Sequence, residues 1–202
     1  MERREVPSAA VSHLFAYLAR MKFIRRWSLM HTTYPESIQD HSHRVAMIAH
    51  TLATIRNRLF GGRVDAARAA VLALYHDAGE VLTGDLPAPV KYFNPDIRAA
   101  YRGIERAASD RLLGMVPEPL RADFAPLLVA AAEDHACWEV VKAADKLCAY
   151  LKCVEEVAAG NREFSRAEQA LRATVEALPQ PEVRYFLETF APSLGLTLDE
   201  LG

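Results

Sequence analysis

Cysteine is scarce in this chain of 202 residues: only Cys137, Cys148 and Cys153, with no CxxC or zinc-like spacing. An odd, sparse set points to free thiols in a reducing cytoplasm. Cys148 and Cys153 sit in an apolar helical run and read as core filler. Long apolar runs are missing too. Each is short or broken by charge, so none predicts a membrane span. The opening Met1-Glu2-Arg3-Arg4-Glu5-Val6 is followed by no apolar signal region. Excess charge of either sign is absent, with 24 basic against 26 acidic residues and a formal net charge of −2. That gives no support for bulk electrostatic binding to a nucleic acid polymer or an anionic membrane. It leaves open a small phosphorylated ligand, which needs only a local site. Repeats and low-complexity linkers are absent, and strand-like alternation is nearly so.

What remains is a chain that is 51% hydrophobic, enough for a substantial core, and dominated by helical spacing. The pattern predicts an all-α single domain over 1–202, with a core over about 8–160 and C-terminal helices over about 163–190. Val11, Leu14, Phe15, Leu18, Met21 and Phe23 predict a first helix over about 8–24. Ser37-Ile38-Gln39-Asp40 fits a capping box opening a helix that stops at Gly61-Gly62. A third helix begins near Asp65 and cannot pass Gly84 to Pro89, where two prolines remove donors and fix the backbone. Further helices are expected over about 96–115, in short pieces to about 136, then over 140–159, 165–178 and 182–190.

The third helix carries the stretch around which the rest is organised, Ala73-Leu74-Tyr75-His76-Asp77-Ala78-Gly79-Glu80. Its His-Asp pair ends the apolar run Ala69 to Leu74, so a carboxylate is placed at the edge of a core. Such a group needs a partner or a cation. Glu80 lies at i+4 from His76 and i+3 from Asp77, which predicts one helical face for all three. Taken alone, an HD dipeptide is an ordinary polar helix end. Two further residues change its weight. His41 falls in the first turn of the capped helix. Asp145 interrupts an apolar helical context in which Asp is a poor choice. Asp145 has a plain alternative, a surface pair with Lys142 or Lys146. Two imidazoles and two carboxylates make a mixed nitrogen and oxygen set that suits Mn, Fe, Co, Ni or Zn. A water acidified at such a centre attacks a phosphoryl or carbonyl group. Glu80 is the candidate general base or acid.

The order His41, His76-Asp77, Asp145 in an all-α chain resembles the HD-domain phosphohydrolases. Within them the chain is similar to the bacterial 5′-deoxynucleotidases of the YfbR type. That likeness rests on Arg26-Trp27, Asp40-His41-Ser42, Tyr75 to Pro87, Pro89-Val90-Lys91-Tyr92-Phe93, Ala144 to Cys153 and Phe190-Ala191-Pro192-Ser193. HD alone is a weak motif; this set together is specific. The resemblance implies a homodimeric enzyme removing phosphate from deoxyribonucleoside 5′-monophosphates. It implies one divalent transition metal ion, with Co2+ favoured among Co2+, Mn2+, Zn2+, Ni2+ and Fe2+, held by His41, His76, Asp77 and Asp145. It further implies that Arg26 orients the phosphate and Glu80 assists proton transfer. Trp27, Asp77, Asp145 and the loop Asp85-Leu86-Pro87-Ala88 would touch the substrate.

The chain departs from the family pattern at Ala88, where Thr is expected, at Asp40 for Glu and at Gly79 for Ser. These bear on substrate preference rather than on the metal site. His43 and His50 read as surface or packing residues. Glu133-Asp134-His135 is a weak candidate for a second metal. Arg25-Arg26 without the resemblance is a solvated basic pair, Trp27 a core anchor, and Lys91 either a phosphate contact or a surface charge. Two other functions compete. One is an HD-type deoxynucleoside triphosphate triphosphohydrolase, which more Lys and Arg near the site would favour. The other is a non-catalytic nucleotide-binding HD module, which loss of a ligand or of Glu80 would favour.

Overall fold

The computed structural model describes residues 11–202; their regular elements are all helices, with no β-strand among them. The helices are α1 (Leu14–Leu18), α2 (Ile38–Leu59), α3 (Ala66–Tyr75), α4 (Glu80–Thr83), α5 (Ala88–Lys91), α6 (Pro95–Gly114), α7 (Arg121–Leu128), α8 (His135–Ala158), α9 (Ser165–Glu176) and α10 (Pro181–Thr189). The capping box at Ser37 forms. Asp40 N–H donates to Ser37 Oγ at 3.2 Å, and Asp40 Oδ2 accepts from Ser37 N–H at 3.0 Å. Asp40 thus fixes the first turn of α2, on which His41 stands. Asp65 caps α3 by accepting from Arg68 N–H.

Three helices carry most of the core. Val45, Ala49 and Leu52 of α2, Ala69, Leu72 and Ala73 of α3, and Val140, Ala144, Leu147 and Leu151 of α8 are buried against one another. Val183 and Phe186 of α10 extend this cluster. Truncating Leu52 or Leu147 to Ala is worth about 2–5 kcal/mol at such fully buried positions. A second cluster joins Leu14, Ala78, Leu112 and Val116. It clamps the segment just after α3.

Three of the expected helices change. The predicted first helix is two short pieces, α1 and a 3-10 turn over Ala19–Phe23. Its residues 8 to 10 lie outside the described residues. Val11, Phe15 and Phe23 are exposed, so only Leu14 and Met21 of that apolar set are buried. Helix α8 starts at His135, five residues before the expected start at Val140. The Glu133-Asp134-His135 stretch is bound into structure because Asp134 accepts from Arg68 at 2.9 and 2.6 Å. Helix α3 ends at Tyr75, and Ala78 N–H and Glu80 N–H bond back to Tyr75 and Asp77 carbonyls, three residues earlier. His76, Asp77 and Glu80 therefore do not lie on one continuous helical face. Tight i to i+3 turns re-aim them between α3 and α4.

Candidate active site

The site forms where the N-terminal turn of α2, the C-terminal end of α3 and the middle of α8 meet. His41 is fully buried. Its Nε2 is 3.0 Å from Asp145 Oδ1 and 3.7 Å from Asp77 Oδ2. The His41 and His76 rings lie 5.3 Å apart between centroids. One donor atom each from His41, His76 and Asp77 falls within 4.8 Å of the others, spacing that could hold a metal ion. Asp145 is outside that mutual grouping and joins it through the His41 contact. It pairs there with His41 and not with Lys142 or Lys146. Among the described residues this is the one such cluster. Glu133-Asp134-His135 forms no second one: Asp134 is committed to Arg68 and His135 is exposed beside Glu139.

The hydrogen bonding suits a cation. His76 Nδ1 is 2.7 Å from the Ala73 carbonyl oxygen, so that nitrogen carries the proton. The lone pair is then on Nε2, which is buried and has no hydrogen-bond partner. Asp77 Oδ2 is 3.1 Å from that Nε2, but outside hydrogen-bonding geometry. A buried imidazole nitrogen left bare beside carboxylates, with its other nitrogen pinned by backbone, is the arrangement metal-ligating histidines adopt.

The charges agree. Burial pulls the His76 pKa down, yet the adjoining Asp77 and Asp145 carboxylates win and raise it to about 9. Burial also opposes ionisation of Asp77, but His76, His41 and Arg26 hold it well below the usual carboxylate range. For Asp145, desolvation pushes up while the His41 bond and charge bring the net shift down. In each case the site favours anionic oxygens facing positive charge. Glu80 is the opposite. Burial, then Asp77 and Asp85, raise its pKa to about 9, and its Oε2 is buried without a partner.

Arg26 reaches the cluster, with Nη1 3.7 Å from Asp77 Oδ2. Trp27 adopts φ +58°, alone among the described non-glycine residues. Its ring meets buried Phe164 edge-on at 5.3 Å. Asp85, Leu86 and Pro87 are half-buried, and Ala88 is exposed at the start of α5. Asp85 feels the charges of Arg26, Asp77 and His41, which sets it near the same cluster. Lys91 is paired with Glu105 at 2.7 Å. His43 and His50 are exposed, as expected.

The YfbR-like 5′-deoxynucleotidase family matches residues 13–194. The chain belongs to that family. A 5′-deoxynucleotidase YfbR of Shigella boydii is 55% identical, over 95% of this chain and 96% of that protein. Among solved structures, an HD-domain phosphohydrolase of Listeria innocua superposes with a TM-score of 0.74 at 23% identity, covering 89% of this chain and 87% of that one. An HD phosphohydrolase of cyanophage S-2L, bound to dA and one catalytic Zn2+, superposes with a TM-score of 0.64 at 21% identity, covering 88% and 96%. These two likenesses carry the fold: all-α, of the HD-domain type.

Sequence reasoning missed Glu36. This buried carboxylate accepts from Arg26 Nε at 3.1 Å and from the Trp27 indole N–H at 2.9 Å, both on Oε2. It precedes the capping Ser37 and follows Pro35, where nothing local distinguishes it from a solvated loop acid. Lys152 and Glu156 were missed as well. They are a buried i,i+4 pair, and i,i+4 Lys and Glu read as an exposed helix face from sequence.

Proposed function

We propose that this chain is a metal-dependent 5′-deoxynucleotidase, hydrolysing deoxyribonucleoside 5′-monophosphates to deoxynucleoside and orthophosphate. The observation that carries the reading is the bare, backbone-pinned His76 Nε2 grouped with His41 and Asp77 in a chain of this family. The relatives' name supplies the substrate class.

His41, His76, Asp77 and Asp145 would hold one divalent transition ion, Co2+ favoured and Mn2+, Zn2+, Ni2+ or Fe2+ acceptable to the same donors. The zinc in the cyanophage enzyme supports such a site on this fold. A bound ion supplies Lewis acidity to the phosphoryl group and acidifies the attacking water. Arg26 pairs with the phosphate oxygens through its planar, always-charged fork. Glu80, protonated at neutral pH by its surroundings, gives its proton to the departing 5′-oxygen as the new P–O bond forms and the old one breaks. Trp27 and the Asp85 to Ala88 loop bound the sugar and base, with Asp77 and Asp145 beside them. The same reading takes the protein as cytoplasmic, in keeping with three buried free thiols, and as a homodimer, on the family resemblance alone.

The triphosphohydrolase alternative needs cations for a longer phosphate tail, and Lys91 is spent on Glu105. The test is product analysis on metal-reconstituted protein with dAMP, dGMP, dTMP and dATP. Orthophosphate from the monophosphates is expected. Tripolyphosphate from dATP, with the monophosphates untouched, would transfer the protein to the other reaction.

A further inference from the structure

We propose that Glu36 is a positioning residue for catalysis: it sets the Arg26 guanidinium to receive the phosphate. This rests on the phosphate role given to Arg26 above.

Glu36 Oε2 accepts from Arg26 Nε at 3.1 Å, and the two side chains are only 8% and 14% exposed respectively. A guanidinium anchored through Nε keeps both terminal nitrogens for another anion. Nη1 lies 3.7 Å from Asp77 Oδ2, at the candidate metal cluster. The anchored edge of the fork thus faces Glu36, and its terminal edge reaches toward the reacting centre. An unanchored Arg would lose rotamer freedom on each binding event, whereas this one has lost it already.

Glu36 is itself held from several sides. Arg26 N–H donates to the Glu36 carbonyl at 3.0 Å, and Ile38 N–H donates to the Ile24 carbonyl at 3.0 Å. These bonds bring residues 24–26 against 36–38 and close the intervening loop. A buried pair then pins the loop just before Glu36. Glu156, fully buried, accepts from Thr33 N–H at 2.9 Å and Thr33 Oγ1 at 2.7 Å. Lys152 Nζ donates to the Tyr34 carbonyl at 2.6 Å and to Glu156 Oε1. Burying two charges beneath a loop is costly unless every lone pair is met, and here the loop backbone meets them. The result is a rigid path from α8 to Glu36 and from Glu36 to Arg26.

The experiment is a double-mutant cycle on the metal-loaded protein, reading kcat/KM for dAMP. Glu36→Gln keeps an acceptor oxygen for the Trp27 indole but loses the charge that pairs with Arg26. It should lower kcat/KM about 10- to 100-fold, the range for losing a hydrogen bond to a charged group. Bound metal and a cooperative melt should remain, and inorganic phosphate should inhibit more weakly by a similar factor. In an Arg26→Ala background the same change should cost almost nothing more, because the residue it acts through is gone. Losses that multiply, or a Glu36→Gln enzyme as active as wild type, overturn the proposal while leaving Arg26 its role. An Arg26→Ala enzyme with full turnover overturns both. Should Glu36→Gln not fold, Glu36→Asp is read on inhibition by inorganic phosphate, which has no sugar to meet Trp27: inhibition should weaken, that weakening should vanish in an Arg26→Ala background, and unchanged inhibition overturns the proposal.

Discussion

His76 Nδ1 sits 2.7 Å from the carbonyl oxygen of Ala73, three residues earlier and in the last turn of α3. That carbonyl is one of the orphan acceptors every helix C-terminus leaves. The bond satisfies it and keeps a proton on Nδ1, so that once Nε2 loses its own proton its lone pair faces the space shared with His41 and Asp77. The helix end and the candidate metal site are therefore one piece of chemistry.

The first expected outcome concerns the ligands. His76→Ala and Asp145→Ala should each lose bound metal and turnover together, with the fold retained. Metal content by elemental analysis and phosphate release from dAMP are the two readouts. Either variant with full occupancy and full turnover removes that residue from the ligand set.

The second is a pH dependence. His76, with its pKa raised to about 9, and Glu80, also raised to about 9, both bind protons in the folded protein that the unfolded chain has released. For His76, stability contributed below about pH 6.5 is lost as pH rises toward 9. For Glu80 the cost of unfavourable ionisation accumulates from about pH 4.5 upward. Both slopes have the same sign, because the folded state holds more protons. The metal-free protein should therefore melt at progressively lower temperature between about pH 6.5 and 9. A metal must displace the His76 proton, so its stabilising effect should grow over the same interval. Melting curves with chelator and with saturating Mn2+ across that range test this. A metal-induced rise in Tm that is flat with pH sinks it.

The third isolates the proton. Glu80→Gln keeps the shape of a protonated carboxyl but has no proton to give. Metal binding should be unchanged, while kcat falls about 10²-fold or more. A near-normal kcat would reduce Glu80 to a carboxyl lining the cleft.

How much of this was legible beforehand varies residue by residue. Asp145 was readable because an acid within an apolar helical run violates propensity and needs a reason. His41 was readable from the capping box that places it in a first turn. The turn after Tyr75 was not. His76 at φ −58°, ψ −35° and Gly79 at φ −59°, ψ −26° remain near helical angles, so Gly79 uses none of its extra backbone freedom and does not mark the change. Burial of Ala78 in the second core cluster accompanies the tighter turn, and that long-range contact has no local signature. Glu36 was invisible for a related reason: its meaning lies in the side chains nine and ten residues behind it.

The last expected outcome is sugar selectivity, and it depends on a residue held under strain. Trp27 at φ +58° occupies a region that costs a non-glycine residue on the order of 1–3 kcal/mol. The surroundings hold it there. The indole N–H is bonded to Glu36 at 2.9 Å, and the ring packs edge-on against Phe164. A rigid indole next to Arg26, packed against C2′ of a bound nucleotide, would clash with a 2′-hydroxyl and leave it unsolvated. That penalty is on the order of 1–3 kcal/mol, or about 5- to 150-fold. The protein should therefore hydrolyse dAMP, dGMP and dTMP with modest base discrimination, and AMP or GMP much more slowly. Trp27→Ala should narrow the dAMP to AMP ratio of kcat/KM while weakening dAMP turnover. A wild type that treats the two sugars alike ends the deoxyribose reading. A ratio that survives loss of the indole moves selectivity to the Asp85 to Ala88 loop. There Ala88 lacks the hydroxyl expected of the family, so Ala88→Thr becomes the substitution that should change the ratio.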